Sequence, residues 1–215
     1  MSTEQNYHSH PRPELVAVVS DDTGNRVLDL GCGSGAMSAL LRERGKAGEI
    51  WGVEKFSDAA RMARDSGAFD KVFEGDLEAI ISELPNEHFD YIIAGDILEH
   101  LVDPWTVCEK LNACLVPGGT FICSIPNIRN FSFVLALIFR GRFEYRDSGV
   151  MDRTHLRFFA RKDVHEMFSR SGYSDIQINT VRPKNKLSWR IGKALFGDLI
   201  IKVFLVTARK DSAQE

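Results

Sequence analysis

A chain of 215 residues is long enough for one well-buried domain and short for two. A composition that is 44% hydrophobic and 27% charged excludes global disorder, and a formal net charge of -3 supplies no basic footprint, so no nucleic-acid partner is expected. The four cysteines, Cys32, Cys108, Cys114 and Cys123, make no CxxC pair and sit among apolar neighbours, which points to buried thiols in a reducing, cytoplasmic setting.

The opening stretch MSTEQNYHSHPRPE is polar and lacks the apolar run of a signal peptide. Residues 1–20 therefore read as a loosely held lead-in to a domain over 21–215. Beyond it, short β-rich apolar runs alternate with amphipathic segments, the sequence form of βαβ units stacked around a parallel sheet, and the fold class is α/β. Strands are expected at Arg26–Leu30, Glu49–Glu54, Lys71–Glu74, Phe89–Gly95, Thr120–Ile125, Ser174–Val181 and Ile200–Ala208. Helices are expected at Ala36–Arg44, Ser57–Arg64, Glu78–Glu83, Pro104–Leu115 and Lys162–Ser171. The fourth carries a start signal, because Asp103 can cap it and Pro104 sits where a missing N–H costs nothing.

Two stretches break the alternation. The connection over 127–154 is far longer than a βα crossover needs, and long connections at the C-terminal side of a parallel sheet are usual places for lids and substrate contacts, a decorative insertion being the alternative. Within it FSFVLALIF, Phe131–Phe139, is too short to span a bilayer and suits a buried or interfacial helix. A second helix-like insertion, Leu187–Phe196, separates the last two strands.

The strongest local signal is VLDLGCGSGAMS, Val27–Ser38, in which a strand carrying Asp29 runs into Gly31, Gly33 and Gly35 and then a helix. Glycines there let a ligand approach the backbone, and the N–H groups of the helix start offer donors to an anionic group. Glycine spacing alone also satisfies a relaxed dinucleotide fingerprint, so NAD is a competitor. Glu54, about 20 residues further on at the end of the strand IWGVE, can accept hydrogen bonds from a ribose in either cofactor. Each acid has a plainer use: Asp29 as a brace of the loop, Glu54 as a solvated strand end, and an acid in EGDLE, Asp76, as a turn former.

Taken in order, these segments resemble class I S-adenosylmethionine-dependent methyltransferases, over roughly residues 26–127. VLDLGCGSGAMS resembles the first motif of that family, WGVE the second, EGDLE the third, and FDYIIAGDILEHLVDP and LVPGGTFICSIPN the fourth-strand and fifth-strand motifs, with Pro117-Gly118-Gly119 turning into the fifth strand. The resemblance implies one Rossmann-like domain: a mostly parallel seven-stranded sheet, helices on both faces, and a last antiparallel strand. It implies S-adenosylmethionine as cofactor, with Asp29, Gly31, Gly33 and Gly35 about its methionine portion, Glu54 on the ribose, Asp76 on the adenine amino group and Leu77 near the ring. Asp96 is counted with the cofactor residues. Cys32, in the loop, reads as a packing residue.

Methyl transfer from a sulfonium is an in-line displacement, so alignment supplies much of the catalysis. A hydroxyl acceptor benefits from a base, and His100, just beyond the fourth strand, and His155, in MDRTHLRFF, are the candidate catalytic residues. Either can instead make local hydrogen bonds. Asp96, Glu99 and His100 are metal donors of generic spacing, and no metal is expected. GDILEHLVDP is similar to ubiquinone-type O-methyltransferases, whereas GRFEYRDSGVMDRTHLRFFARKDV is similar to bacterial glycan-associated methyltransferases, which implies a saccharide or other small-molecule acceptor; Phe143, Tyr145, Phe158 and Phe159 can supply a stacking wall, core packing being the commoner fate of such side chains. The alternatives are a lipid or quinone O-methyltransferase, with FSFVLALIF and LIIKVFLV leaving transient membrane-surface contact open, and a non-catalytic cofactor-binding subunit of a partner. Oligomeric state is left open.

Overall fold

The structure is a computed structural model that describes residues 10–181, 192 and 194–212. Its strands are β1 (Arg26–Leu30), β2 (Glu49–Glu54), β3 (Lys71–Glu74), β4 (Phe89–Gly95), β5 (Leu115–Pro126), β6 (Tyr173–Thr180) and β7 (Val203–Lys210). They form one sheet in the order β3-β2-β1-β4-β5-β7-β6. The first five pair in parallel, and β7 runs antiparallel between β5 and β6. The helices are α1 (Pro13–Val16), α2 (Ala36–Glu43), α3 (Ser57–Asp65), α4 (Leu77–Ile80), α5 (Pro104–Cys114), α6 (Phe131–Arg140) and α7 (Arg161–Arg170).

A parallel sheet of this kind is covered on both faces, and the strand residues sort between them with the two-residue period of extended chain. Leu28 and Leu30 of β1, Ile92 and Ala94 of β4 and Phe121, Cys123 and Ile125 of β5 join one buried cluster, together with side chains of α4, α5 and α7. The intervening Val27, Ile93 and Ile122 join the other, with side chains of α1 and α2. This is the Rossmann-like architecture that the resemblance implied.

Where structure and expectation differ, the causes are local. β5 begins five residues earlier than expected, because Leu115 pairs with Phe89 before Val116–Gly119 loop out against Asp90 and pairing resumes at Tyr91 and Thr120. The Pro117-Gly118-Gly119 turn is thus a bulge within the strand, with Gly118 at φ +77. The expected Glu78–Glu83 helix is α4 followed by a single 3-10 turn, Ile81–Glu83. FSFVLALIF is helical as α6, capped by Asn130, whose side chain accepts from the Ser132 N–H, and ended by Gly141 in the left-handed region. Most of the Leu187–Phe196 insertion lies outside the described residues.

The larger correction concerns residues 1–20. From Pro13 this stretch is packed structure: Leu15, Val16 and Val19 are buried in the cluster under α2. The Lys46 ammonium donates to the Val19 carbonyl and pairs with Asp21, and the Asn25 side chain donates to the carbonyls of Ser20 and Lys46. The apolar run LVAVV, residues 15–19, follows the polar opening and turns Leu15, Val16 and Val19 inward, where they complete the core. Burying a leucine fully is worth about 2–3 kcal/mol, and truncation adds a cavity cost. Leu15→Ala is therefore expected to lose about 2–4 kcal/mol in urea denaturation; a loss below about 0.5 kcal/mol, the range of an ordinary surface change, contradicts the packed lead-in.

Candidate active site

All the predicted site residues lie at or just beyond the C-terminal ends of β1 to β4, apart from His155, which the insertion brings to them. The cofactor side is organised around two buried carboxylates. At the end of β1 the Gly31 and Cys32 N–H groups donate to the Val53 carbonyl, 2.8 and 3.1 Å away, which ties the glycine loop to β2. Gly31 sits at φ +64, and a Cβ there would meet Ile97 Cδ1 at 2.1 Å, so both conformation and space demand glycine. Glu54 is buried, with Oε2 accepting from the Gly33 N–H at 2.8 Å and Oε1 from the Phe56 N–H at 2.9 Å. It is therefore no solvated strand end.

Asp29 lies beneath the same loop. Its Oδ2 accepts from the Ser38 hydroxyl at 2.7 Å, while Oδ1 is buried without a partner. Burial raises its pKa from an ordinary 3.8 to about 7, opposed by the Ser38 bond and helped by the Glu54 charge. The first turn of α2 follows Gly35 with no side-chain cap. Cys32 is buried, and desolvation pushes its thiol far up, as fits a packing residue.

The other predicted cofactor residues have structural partners of their own. Asp76 caps α4 by accepting from the Glu78 N–H at 3.0 Å and pairs with Lys55 at 2.8 Å, which holds its carboxyl below the usual range. Leu77 is buried in the main core with Ile80 and Ile81. Asp96, at φ +56, is held by the Arg12 guanidinium and by the Ser124 hydroxyl, which donates to it at 2.7 Å. Arg12 also donates to Ser124 Oγ and Glu14 Oε1. Sequence reasoning missed Arg12, since nothing in a polar lead-in signals a partner 84 residues away.

On the acceptor side the decisive contact is between backbones. The N–H groups of Leu156 and Arg157 both donate to the Glu99 carbonyl, at 2.8 and 3.0 Å, and the Arg157 side chain reaches the Val102 carbonyl. This clamp sets His155 beside His100, with ring centroids 4.8 Å apart and planes at 77°. His100 Nδ1 faces the Thr154 carbonyl at 3.1 Å and His155 Nδ1 the Val150 carbonyl at 3.0 Å. Carbonyl oxygens only accept, so each Nδ1 carries the proton and each Nε2 keeps its lone pair. Both Glu99 oxygens are buried with no hydrogen-bond partner, 4.0 Å separating Oε1 from His155 Nε2. Burial, reinforced by the Asp96 charge, holds this carboxyl well above the usual range. Burial and the neighbouring His155 lower the pKa of His100. Glu99 was read only as a donor of generic spacing, and its burial was not legible.

A cavity of about 690 Å³ opens beside this group, lined by Asp96, Glu99 and His155 and, from the insertion, by Asn130, Arg140 and Arg146 among others. Of the two uses open to the aromatic residues of this segment, packing is the one observed. Phe159 is buried in the core, and Phe143, Tyr145 and Phe158 pack on one another and on Phe133.

A model of the family described as "Methyltransferase domain" matches residues 5–178. The chain belongs to that family. Among curated relatives of this methyltransferase, the demethylmenaquinone methyltransferase of Listeria monocytogenes serotype 4a is 26% identical over 191 residues, covering 79% of this chain and 78% of that protein. The human mitochondrial ubiquinone biosynthesis O-methyltransferase is 28% identical over 123 residues, 54% of this chain and 32% of its own. An S-adenosylmethionine-dependent methyltransferase from Archaeoglobus fulgidus shares the fold at TM-score 0.68 and 16% identity, covering 96% of this chain and 97% of that one.

The protein is an S-adenosylmethionine-dependent methyltransferase, with S-adenosylmethionine as its cofactor. The site fits that molecule: the orphaned Asp29 Oδ1 and the buried Glu54 suit a ligand carrying an ammonium, a sulfonium and ribose hydroxyls. Gly31→Ala is expected to weaken S-adenosylmethionine binding at least about tenfold in calorimetric titration while the protein stays folded, since the loop must shift away from Ile97; unchanged affinity contradicts this placement.

Asp29 also makes a pH prediction for the cofactor-free protein. Its folded pKa of about 7 lies above its ordinary 3.8, so the stability gained by holding that proton is full below about pH 4 and lost as pH rises towards 7. The advantage of Asp29→Asn over wild type in urea denaturation should grow from pH 4 to 7 and level off above. A constant difference across that window contradicts the buried, unpaired oxygen.

Proposed function

We propose that this methyltransferase transfers the methyl group to a hydroxyl oxygen of a saccharide, a glycan precursor or another small metabolite bound under the 127–154 insertion. The observation that carries the reading is a cavity of mixed polar and apolar lining to which Glu99, His155, Asn130, Arg140 and Arg146 contribute polar groups. Such a lining supports an acceptor rich in hydroxyl or anionic groups, held by several polar contacts at once. In this reading the glycine loop, Asp29 and Glu54 hold the cofactor, and the acceptor hydroxyl donates a hydrogen bond to the free Nε2 of His155, which aligns its oxygen with the methyl group. His100, ring against ring with His155, orients it. The reaction runs in the cytoplasm, which the four buried free thiols support.

A second reading, a quinone or other lipid acceptor, is favoured by α6. None of its residues is buried, and Ile138 and Phe139 are 66% and 78% exposed, as for a helix that meets a membrane surface. The names of the curated relatives point the same way, while no helix of the described residues is long and apolar enough to cross a membrane.

The discriminating assay follows labelled methyl transfer to soluble nucleotide sugars and, separately, to quinols in lipid vesicles. The proposal expects turnover on the soluble acceptors, with His155→Ala lowering kcat about 100-fold or more and leaving cofactor affinity within about twofold. Turnover confined to vesicle-borne quinols supports the second reading and overturns the first.

A further inference from the structure

We propose that Glu99, His100 and His155 form a binding site for one divalent transition-metal ion. One carboxylate oxygen and two imidazole nitrogens, one from each residue, lie within 4.8 Å of one another. Glu99 is only 1% exposed, and both its oxygens lack a hydrogen-bond partner. Buried polar groups are nearly always paired, so this carboxylate is aimed at something that protein atoms do not supply. Nearby Arg12 does not supply it, being committed to Asp96, Glu14 and Ser124.

The histidines are prepared for the same guest. Each donates its Nδ1–H to a backbone carbonyl and leaves the Nε2 lone pair free, the arrangement that orients metal-ligating imidazoles. Two nitrogens and one carboxylate suit ions such as Zn²⁺ or Mn²⁺, whereas Mg²⁺ and Ca²⁺ prefer all-oxygen shells. Tetrahedral ligands at about 2.1 Å stand about 3.4 Å apart, so the 4.0 Å between Glu99 Oε1 and His155 Nε2 closes with a small side-chain movement. Of the donors visible in the sequence, Asp96 is withdrawn by Arg12 and Ser124, and His155 takes its place. No ligand is exposed enough to suggest a solvated acidic patch.

Three protein ligands leave coordination positions open, and Glu99 and His155 line the acceptor cavity. The catalytic consequence rests on the hydroxyl acceptor proposed above. In the loaded site the ion occupies His155 Nε2 in place of the hydrogen bond from the acceptor, takes the acceptor oxygen as a ligand and lowers its pKa, and the proton passes to solvent water. The oxygen then bonds to the methyl carbon as the carbon–sulfur bond breaks, giving a methyl ether and neutral S-adenosylhomocysteine.

The test is calorimetric titration of chelator-treated full-length protein with Zn²⁺, Mn²⁺ and Mg²⁺, with S-adenosylmethionine titrated into the same preparations. Wild type is expected to bind one Zn²⁺ or Mn²⁺ more tightly than Mg²⁺, and Glu99→Gln and His155→Ala each to weaken it at least about 100-fold with cofactor affinity retained. Two variants guard against one failing to fold. Folded wild type that binds cofactor but no metal, or metal affinity unchanged in a folded variant, overturns the inference. Intact metal binding without methylation of any hydroxyl acceptor overturns only the proposed function.

Discussion

The N–H groups of Leu156 and Arg157 close on the carbonyl oxygen of Glu99, and the chemistry available at this edge of the sheet depends on that junction. Each bond is worth only about 1 kcal/mol net. Their effect is geometric: they bring a histidine from the far end of the insertion against the histidine that follows β4, beside the buried Glu99 side chain. Without the clamp the insertion would be a loop over a cleft. With it, the cleft has a fixed wall carrying two imidazole lone pairs and a buried carboxylate.

A second lock joins the two halves of the edge. Arg12, from a segment before the first strand, reaches Asp96 and Ser124 at the ends of β4 and β5. Asp96 stands at φ +56, a conformation that costs a non-glycine residue about 1–2 kcal/mol and persists where its surroundings over-determine it. The chain therefore turns sharply just past β4, with Glu99 and His100 beyond the turn. On the other side Asp29 and Glu54 place buried carboxylate oxygens under the glycine loop, where in the proposed reading a cationic cofactor compensates what desolvation costs them. The proposed function has cofactor and acceptor meet where β1 and β4 lie side by side, the crevice outside the strand ends where open α/β sheets collect their ligands.

Much of this was legible in the chain. The boundaries of β1, β2 and β4 follow their apolar runs, because a parallel strand buried on both faces reads as a continuous apolar stretch, and those of the half-exposed edge strand β3 were legible as well. The glycine loop was legible because left-handed dihedrals and a close approach to Ile97 leave no other residue. The packed part of the lead-in shows in the sequence only as the short apolar run LVAVV at residues 15–19, whose purpose is clear once the surface it covers is known. Asp76 and Leu77 matched a motif by position, yet their contacts here are those of a helix cap and a core residue. The histidines were visible one at a time. Their meeting depends on a clamp between segments more than fifty residues apart, and the burial of Glu99 is likewise a matter of tertiary packing, so no local pattern announces either.

The most direct test of this account is a crystal structure of the protein with S-adenosylhomocysteine. The account predicts the amino-acid end of the ligand over Asp29 and the glycine loop, its ribose near Glu54, and its sulfur turned toward the cavity that Glu99 and His155 line. A sulfur facing away from that cavity, or separated from it by protein, would contradict the reaction centre described here.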